Sequence, residues 1–151
     1  MQGISRSIIF FLVAATIDSF GQTHLNFSKL GIGDGLSDES VNDVVQDSKG
    51  FIWIGTTNGL NRYDGKYIKI FQSDYEKPGA LRNGNITALF VDRKNTLWVG
   101  TYGGGLYYYN PDTESFFNCN TGSSSLIGSI YESSSGELWV GLLGTDGGLG
   151  L

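Results

Sequence analysis

Acidic side chains are the most numerous groups that could do chemistry in this 151-residue sequence, which has 15 Asp and Glu but one His and one Cys. Hydrolysis of a glycosidic bond needs two carboxylates that face the bond, and a metal site needs a cluster of His, Asp or Glu. His24 alone does not supply such a cluster, and Cys119 alone forms neither an internal disulfide nor a CxxC zinc site. The sequence therefore predicts no catalytic residue, no metal and no cofactor.

Two of the carboxylates recur at matching places and are better explained by turns. Asp47 and Asp92 each follow an apolar run, and Gly50 or Asn95 comes three residues later. An Asp side chain accepts hydrogen bonds from turn amides, and Gly or Asn adopts the left-handed conformation of a tight hairpin. In the third copy, segment 132–136 holds one extra residue. A looser turn is predicted there.

Glycine, at 23 of 151 residues, clusters between strand-like runs in GTTNG and GTYGGG. Glycine-rich loops also cradle phosphate, but no GKS or GKT follows and no GxGxxG opens a helix. Both clusters are interpreted as hairpin corners between strands.

Aromatic and amide side chains near these hairpins are the candidates for ligand binding. Tyrosine offers a flat apolar face with a polar tip, and loops carry function more often than strand interiors do. The alternative is packing between sheets, since alternate members of Tyr107–Tyr109 must face opposite sides of a strand. The predicted ligand contacts are Asn58, Asn61, Arg62, Tyr63, Tyr102 and Tyr108.

All these segments belong to a repeat marked by tryptophan. Trp98 lies 45 residues after Trp53, and Trp139 lies 41 residues after Trp98, a period typical of four-stranded propeller blades rather than of helical pairs. Each Trp stands in a short run that is apolar on both faces, as in a strand covered on both sides. An all-β protein of antiparallel β-propeller blades is predicted. Its structural repeat positions are Asp47, Gly50, Trp53, Gly55, Asp92, Asn95, Trp98, Gly100, Gly136, Trp139 and Gly141.

The repeat divides the chain into two complete blades and one partial blade, which make an incomplete ring. The predicted units are blade 1 at 36–80, blade 2 at 81–125 and partial blade 3 at 126–151. Because rings have about four to eight blades, the sequence is interpreted as a fragment of a longer reading frame. The alternatives are assembly of several copies, and an open piece whose edges are prone to aggregation.

A smaller regularity suggests a further strand before the first blade. A Phe precedes a Leu by nine or ten residues in Phe27–Leu36, Phe71–Leu81 and Phe117–Leu126. Segment 22–35 is therefore predicted to contain a strand that completes the last blade and removes exposed edges.

The first 21 residues have the features of a secretory signal peptide. Arg6 precedes an apolar run at 8–17, and Ser19 and Gly21 supply small residues for cleavage. The run is shorter than the roughly 20 residues that cross a bilayer, so an uncleaved anchor is the weaker alternative. Secretion across the inner membrane to the periplasm is predicted. The net charge of −5, without a basic run, predicts no nucleic-acid binding.

Segment 34–65, DGLSDESVNDVVQDSKGFIWIGTTNGLNRYDG, closely resembles the first repeat of the two-component regulator propeller family, and segment 83–113 resembles the next. The third copy departs from the pattern at Leu142, Leu143 and Gly144. The resemblance implies the periplasmic sensor region of a hybrid two-component system of Bacteroides-like bacteria. In that family, tandem propellers and an immunoglobulin-like domain precede a transmembrane helix, a histidine kinase, a receiver and a DNA-binding domain.

The resemblance implies a sensor that binds an oligosaccharide and controls polysaccharide utilisation through a phosphorelay. Its partners would be a glycan and the remaining blades and kinase of the full-length protein. This segment itself is expected to be no enzyme. The alternatives are a structural or dimerising module whose blade edges pair between chains, and a propeller glycan lyase or hydrolase.

Overall fold

The computed structural model describes residues 28–119 and 126–143, together with the backbone of Leu149–Gly150. The predicted signal peptide and most of the predicted N-terminal strand, including His24, lie outside the described residues. Within segment 28–35, the chain has no strand, and a short 3-10 helix spans Ile32–Asp34. None of the helices in the described part is long and apolar enough to cross a bilayer.

Three antiparallel sheets make up the described fold, and the strands of each sheet follow one another in chain order. The first sheet contains β1 Val41–Gln46, β2 Ile52–Thr56, β3 Gly59–Tyr63 and β4 Ile68–Phe71. The second contains β5 Ile86–Val91, β6 Leu97–Thr101, β7 Gly105–Asn110 and β8 Ser115–Cys119. The third contains β9 Leu126–Glu132, β10 Leu138–Leu143 and β11 Leu149–Gly150.

The sheets stand side by side, with β5 in contact with both β1 and β9. This arrangement of four-stranded antiparallel blades confirms the predicted fold class, and the described sheets do not close a ring. The strands of each sheet lie within the segments predicted for blades 1 to 3. The unit boundaries themselves stay a prediction.

The second blade is covered on both faces, as the two-sided apolar runs predict. Between the first and second blades lies an apolar core that includes Trp53, Leu60, Ile86, Tyr107 and Phe116. A smaller core on the other face of the second blade joins Ala88, Leu106, Ile127 and Val140, with Trp98 packed against it. Removal of this apolar surface from water is the main force that holds neighbouring blades together.

The first strand of the first blade and the first strand of the second blade each contain a β-bulge that contacts the next blade. The bulges interrupt the register at Asn42 in β1 and at Thr87 in β5. The Asn42 side-chain amide donates to the Ile86 carbonyl at 2.7 Å, and the Thr87 hydroxyl donates to the Ile127 carbonyl. The extra residue of each bulge therefore turns a polar side chain toward the neighbouring blade.

The turn predicted to be looser in the third copy is no looser than the others. Ser133, not Glu132, is the counterpart of Asp47, because the Ser133 amide donates to the Glu137 carbonyl and the Gly136 amide to the Ser133 carbonyl. The first turn has the same pair of bonds, from Asp47 to Phe51 and from Gly50 to Asp47. The prediction of an extra residue was wrong because strand β9 extends through Glu132.

The left-handed residue predicted in the first two turns is confirmed, and the third turn contains one as well. Gly50, Asn95 and Gly136 have φ angles of 87°, 63° and 88°. Asn tolerates this region better than other residues with a β-carbon, because its short polar side chain can hydrogen-bond locally.

The Phe–Leu spacing does not mark equivalent positions in the three copies. Leu36 and Leu81 are buried and lie five residues before β1 and β5, but Leu126 is the first residue of β9. In the second sheet, Cys119 rather than Phe117 occupies the place of Phe71. Each of Phe71 and Cys119 pairs with the leucine at the second position of the third strand in its own sheet. The predicted strand in 22–35 therefore has no support from this regularity.

Candidate functional site

The two repeated aspartates bind the indole of the tryptophan six residues later. One Asp47 carboxylate oxygen accepts hydrogen bonds from the Lys49 and Phe51 amides at 2.9 and 3.0 Å. The other accepts from Trp53 Nε1 at 2.9 Å. Asp92 makes the same three contacts, with Trp98 Nε1 at 3.0 Å. The turn-forming role predicted for these carboxylates is confirmed. Each of their oxygens accepts at least one hydrogen bond from within the protein.

The pKa of Asp92 reflects this network. Partial burial raises the pKa, but the hydrogen bonds from Trp98 and from the Thr96 and Lys94 amides outweigh it. The net effect holds the carboxyl pKa below its ordinary value of 3.8. Sequence reasoning missed the indole partner, although the equal spacing of six residues in both copies carried the signal.

The glycines two residues after Trp53 and Trp98 allow the next blade to approach. A β-carbon at Gly55 would lie 2.7 Å from Ile86 Cγ2, and one at Gly100 would lie 2.5 Å from Ile127 Cγ2. Both isoleucines are completely buried. These glycines therefore serve packing between blades, in addition to any role in hairpin turns.

Arg62 extends from β3 of the first blade to β7 and the β7–β8 turn of the second blade. Its guanidinium donates to Tyr109 Oη at 3.1 Å and forms an ion pair with Glu114 at 3.2 Å. The guanidinium carbon also lies 4.7 Å from the centre of the Phe51 ring, within cation–π range. Burial of Tyr109 is the main cause that raises the pKa of its hydroxyl, and the Arg62 charge opposes it.

A groove of about 360 Å³ opens beside Arg62, between the first two blades. Buried Trp53 and Tyr109 stand behind it, and Lys49 and Lys94 lie on its exposed rim. The two lysines occupy the same position in successive turns, two residues after Asp47 and Asp92. Sequence reasoning singled out Arg62 but neither lysine. Their shared position relative to the repeated Asp was the signal that could have found them.

The predicted contact Asn61 lies in the interior and is fully hydrogen-bonded within the protein. Its side chain is 0% exposed. Its amide donates to Ser37 Oγ at 2.8 Å and to the Ile54 carbonyl at 3.1 Å, and its carbonyl oxygen accepts from the Ser37 amide. In this arrangement Asn61 anchors the segment that precedes β1.

Asn58 and Tyr102 lie at the opposite end of the strands from the groove. Asn58 is in the β2–β3 hairpin, and Tyr102 is in the β6–β7 hairpin with its side chain 56% exposed. The Tyr102 amide donates to the Asn85 carbonyl at 2.9 Å, and its own carbonyl accepts from the Asn83 side chain. The two residues therefore belong to a different face from Arg62.

Tyr63 and Tyr108 occupy two further places. Tyr63 lies at the end of β3, where its hydroxyl donates to the Gly65 carbonyl at 2.7 Å. Tyr108 stacks on Phe117 at 5.2 Å on the face of the second blade that is turned toward the third. Its neighbours Tyr107 and Tyr109 are buried on the other face, which confirms the predicted alternation.

The six predicted ligand residues thus do not converge on one site, and their contact with a ligand stays a prediction. Among the described residues, no group of three or more His, Cys, Asp and Glu is placed to hold a metal. Within the described part of the chain, the groove beside Arg62 combines one of the six with two lysines that take part in no ion pair.

Two segments of the chain match the sequence profile of a known family, the two component regulator propeller, at residues 35–58 and 80–103. A curated relative, histidine kinase P4 of Formosa agariphila, is 35% identical over 74 residues. That match covers 49% of this chain and 5% of the relative.

Solved structures agree with this match. The extracellular domain of a hybrid two component system from B. thetaiotaomicron superposes with a TM-score of 0.66 at 26% identity, over 75% of this chain and 17% of that one. A second such domain from the same organism gives a TM-score of 0.63 at 24% identity, over 77% of this chain and 15% of that one. Virginiamycin B lyase from Staphylococcus aureus shares only the fold, at 15% identity, a TM-score of 0.54, and 77% and 42% coverage.

The chain spans less than a fifth of the extracellular sensor domains that it matches. The matched segments coincide with β1–β2 and β5–β6 and the residues that precede them, including both Asp–Trp pairs. The resemblance seen in the sequence is confirmed: residues 35–58 and 80–103 of this chain match the two component regulator propeller family.

Proposed function

We propose that this chain is part of a periplasmic sensor propeller, which binds an oligosaccharide and signals across the inner membrane to a kinase in the full-length protein. The observation that carries the proposal is the 26% identity to an extracellular domain of a hybrid two component system over 75% of this chain. A curated relative that is named a histidine kinase supports the same assignment.

The groove between the first two blades is the proposed place of binding. Its volume of about 360 Å³ lies within the roughly 300 to 1,000 Å³ range of small-molecule sites. We propose that the saccharide is bound without being cleaved, because the carboxylates at the repeated turns accept hydrogen bonds from backbone amides and indoles.

Calorimetric titration of the full-length gene product with a panel of oligosaccharides tests the proposal. Saturable heat with at least one saccharide is expected, and chromatography of the mixture should recover that saccharide unchanged. Appearance of cleaved sugar would contradict the non-catalytic assignment and favour the lyase or hydrolase alternative.

Location and connection to a kinase are tested by an immunoblot of fractionated cells with an antibody to segment 22–151. A membrane-bound band many times larger than 16.4 kDa is expected. A soluble periplasmic band near that mass would contradict the kinase connection.

A dimerising role is the second candidate, and uncovered apolar side chains favour it. Val41 and Val44 of β1 are 46% and 52% exposed, whereas their counterparts in β5, Ile86 and Leu89, are at most 5% exposed. A second copy that covers this face would shield the valines from water, as would a further blade of the same ring. Sedimentation velocity over a hundredfold concentration range should then show a monomer–dimer shift, and a constant monomer would contradict the dimer.

A further inference from the structure

The groove between the first two blades has an excess of positive charge in an acidic protein. Among the residues that the structure describes, its charged lining consists of Lys49, Lys94 and Arg62 against the carboxylate of Asp47. The chain as a whole has a net charge of −5 and only 10 Lys and Arg. Three of these cations therefore meet at one groove.

The one carboxylate in the groove does not neutralise the lysines by contact. Asp47 is bound by two backbone amides and by the Trp53 indole. Among the described residues, neither Lys49 nor Lys94 takes part in an ion pair. Both ammonium groups remain available to a ligand at the rim.

Arg62 keeps donors for a ligand as well. Two of its nitrogens are engaged, one with Tyr109 and one with Glu114, whereas a guanidinium has five N–H donors. Glu114 is shared with Lys69, so its negative charge is compensated from both sides.

The neighbouring groove provides a contrast. It is larger, about 470 Å³, and lies at the outer strands, where Lys69 and Lys77 are balanced by Asp74 and Glu114. The groove between the first two blades therefore has an excess of positive charge that this larger groove lacks. Buried Trp53 and Tyr109 form its wall, and low-dielectric walls focus the field of charges that line a cleft.

We propose that the groove bounded by Lys49, Lys94 and Arg62 binds an acidic saccharide, with a carboxylate or sulfate group between the two lysines. This inference rests on the proposed function and narrows it to one class of ligand. The ammonium groups neutralise the anion, and the unused guanidinium donors bind further oxygens of the sugar.

The test is calorimetric titration of the full-length protein with three disaccharides: a galacturonate disaccharide, a sulfated galactose disaccharide and the neutral galactose disaccharide. The variant is Lys49→Gln with Lys94→Gln. Lys66→Gln is the matched control, because Lys66 is an exposed lysine of the first blade that does not line the groove. Both groove lysines are exposed, so thermal melts of the variants should match the wild type.

At least one acidic disaccharide is expected to bind the wild type at least tenfold more tightly than the neutral one. The double variant should lose at least tenfold of that affinity, the Lys66→Gln control should not, and added salt should weaken binding. Comparison of the titrations with the galacturonate disaccharide and the sulfated galactose disaccharide identifies which acidic group is recognised.

Preference for the neutral sugar, or acidic binding that the double variant does not change, would overturn the inference and leave the sensor proposal standing. If no saccharide in this set or in the wider panel binds, both the acidic-saccharide inference and the proposed function are overturned.

Discussion

At the residue scale, Asp47 and Asp92 each accept a hydrogen bond from the indole of the tryptophan six residues later. The Asp92 carboxylate accepts hydrogen bonds from two turn amides and from the indole N–H, and the bonds from the Thr96 amide and the indole are partly buried. A hydrogen bond to a charged group contributes roughly 1.5 to 3 kcal/mol, and a donor left without a partner carries a similar penalty.

Replacement of Asp92 by Asn tests this role. The amide group cannot accept from the turn amides and the indole with the same strength, so a loss of about 1 to 3 kcal/mol in unfolding free energy is expected at pH 7. Urea denaturation of the protein measures this loss. Asp112→Asn, at an exposed turn position, should change little.

The hydrogen bond between Asp92 and Trp98 also makes the unfolding free energy depend on pH, in a direction that follows from the pKa of Asp92. The folded pKa of Asp92 is lowered, so its contribution is complete above the unfolded pKa of about 3.9. As pH falls through the lower folded value, the carboxylate is protonated and the contribution is lost. The stability difference between wild type and Asp92→Asn should therefore narrow below about pH 4. A difference that stays constant down to pH 2 would contradict the assignment.

At the element scale, the second strand of each blade must come close to the first strand of the next. Gly55 in β2 faces Ile86 in β5, and a β-carbon would meet two atoms of that side chain at 2.7 and 3.1 Å. Ile86 is completely buried and branched at its β-carbon, so it has no room to turn aside.

Gly55→Ala is therefore expected to lower the unfolding free energy by about 1 to 3 kcal/mol, as overpacked cores do. Urea denaturation monitored by tryptophan fluorescence measures it. Gly33→Ala is the control, because nothing lies within 4 Å of a β-carbon there and its φ is not positive. Equal stability of the two variants would show that the blades separate easily at this contact.

At the scale of the whole molecule, polar contacts add to the apolar core that joins successive blades. Arg62 of the first blade binds Tyr109 and Glu114 of the second. The Arg62 side chain is only 20% exposed and its hydrogen bond with Tyr109 is partly buried, so that contact is less screened by solvent than the ion pair with Glu114, whose side chain is 40% exposed.

A double-mutant cycle of Arg62→Met and Tyr109→Phe measures the connection between blades. Each change leaves the apolar part of the side chain in place and removes the hydrogen bond. The expected coupling energy is about 0.5 to 3 kcal/mol by equilibrium unfolding in urea. Additive effects of the two substitutions would contradict a direct contact between them.

The sequence determined the fold class through local features. The tryptophan period and the Asp-to-Gly or Asn spacing depend on strand alternation and turn conformation, which nearby residues decide. The third turn was misassigned because Glu132 and Ser133 are both reasonable turn residues, and only the extent of β9 shows which of them begins the turn.

The tertiary structure decided which residues face one another between blades. Asn61 is near a hairpin in the sequence, but the segment before β1 folds over it and uses its amide. Lys49 and Lys94 are 45 positions apart, and only the packing of two blades brings both to one groove beside Arg62. Contacts of this kind depend on how the apolar faces of two sheets pack against each other. Because such packing joins segments that are far apart in the chain, the spacing of neighbouring residues does not predict it.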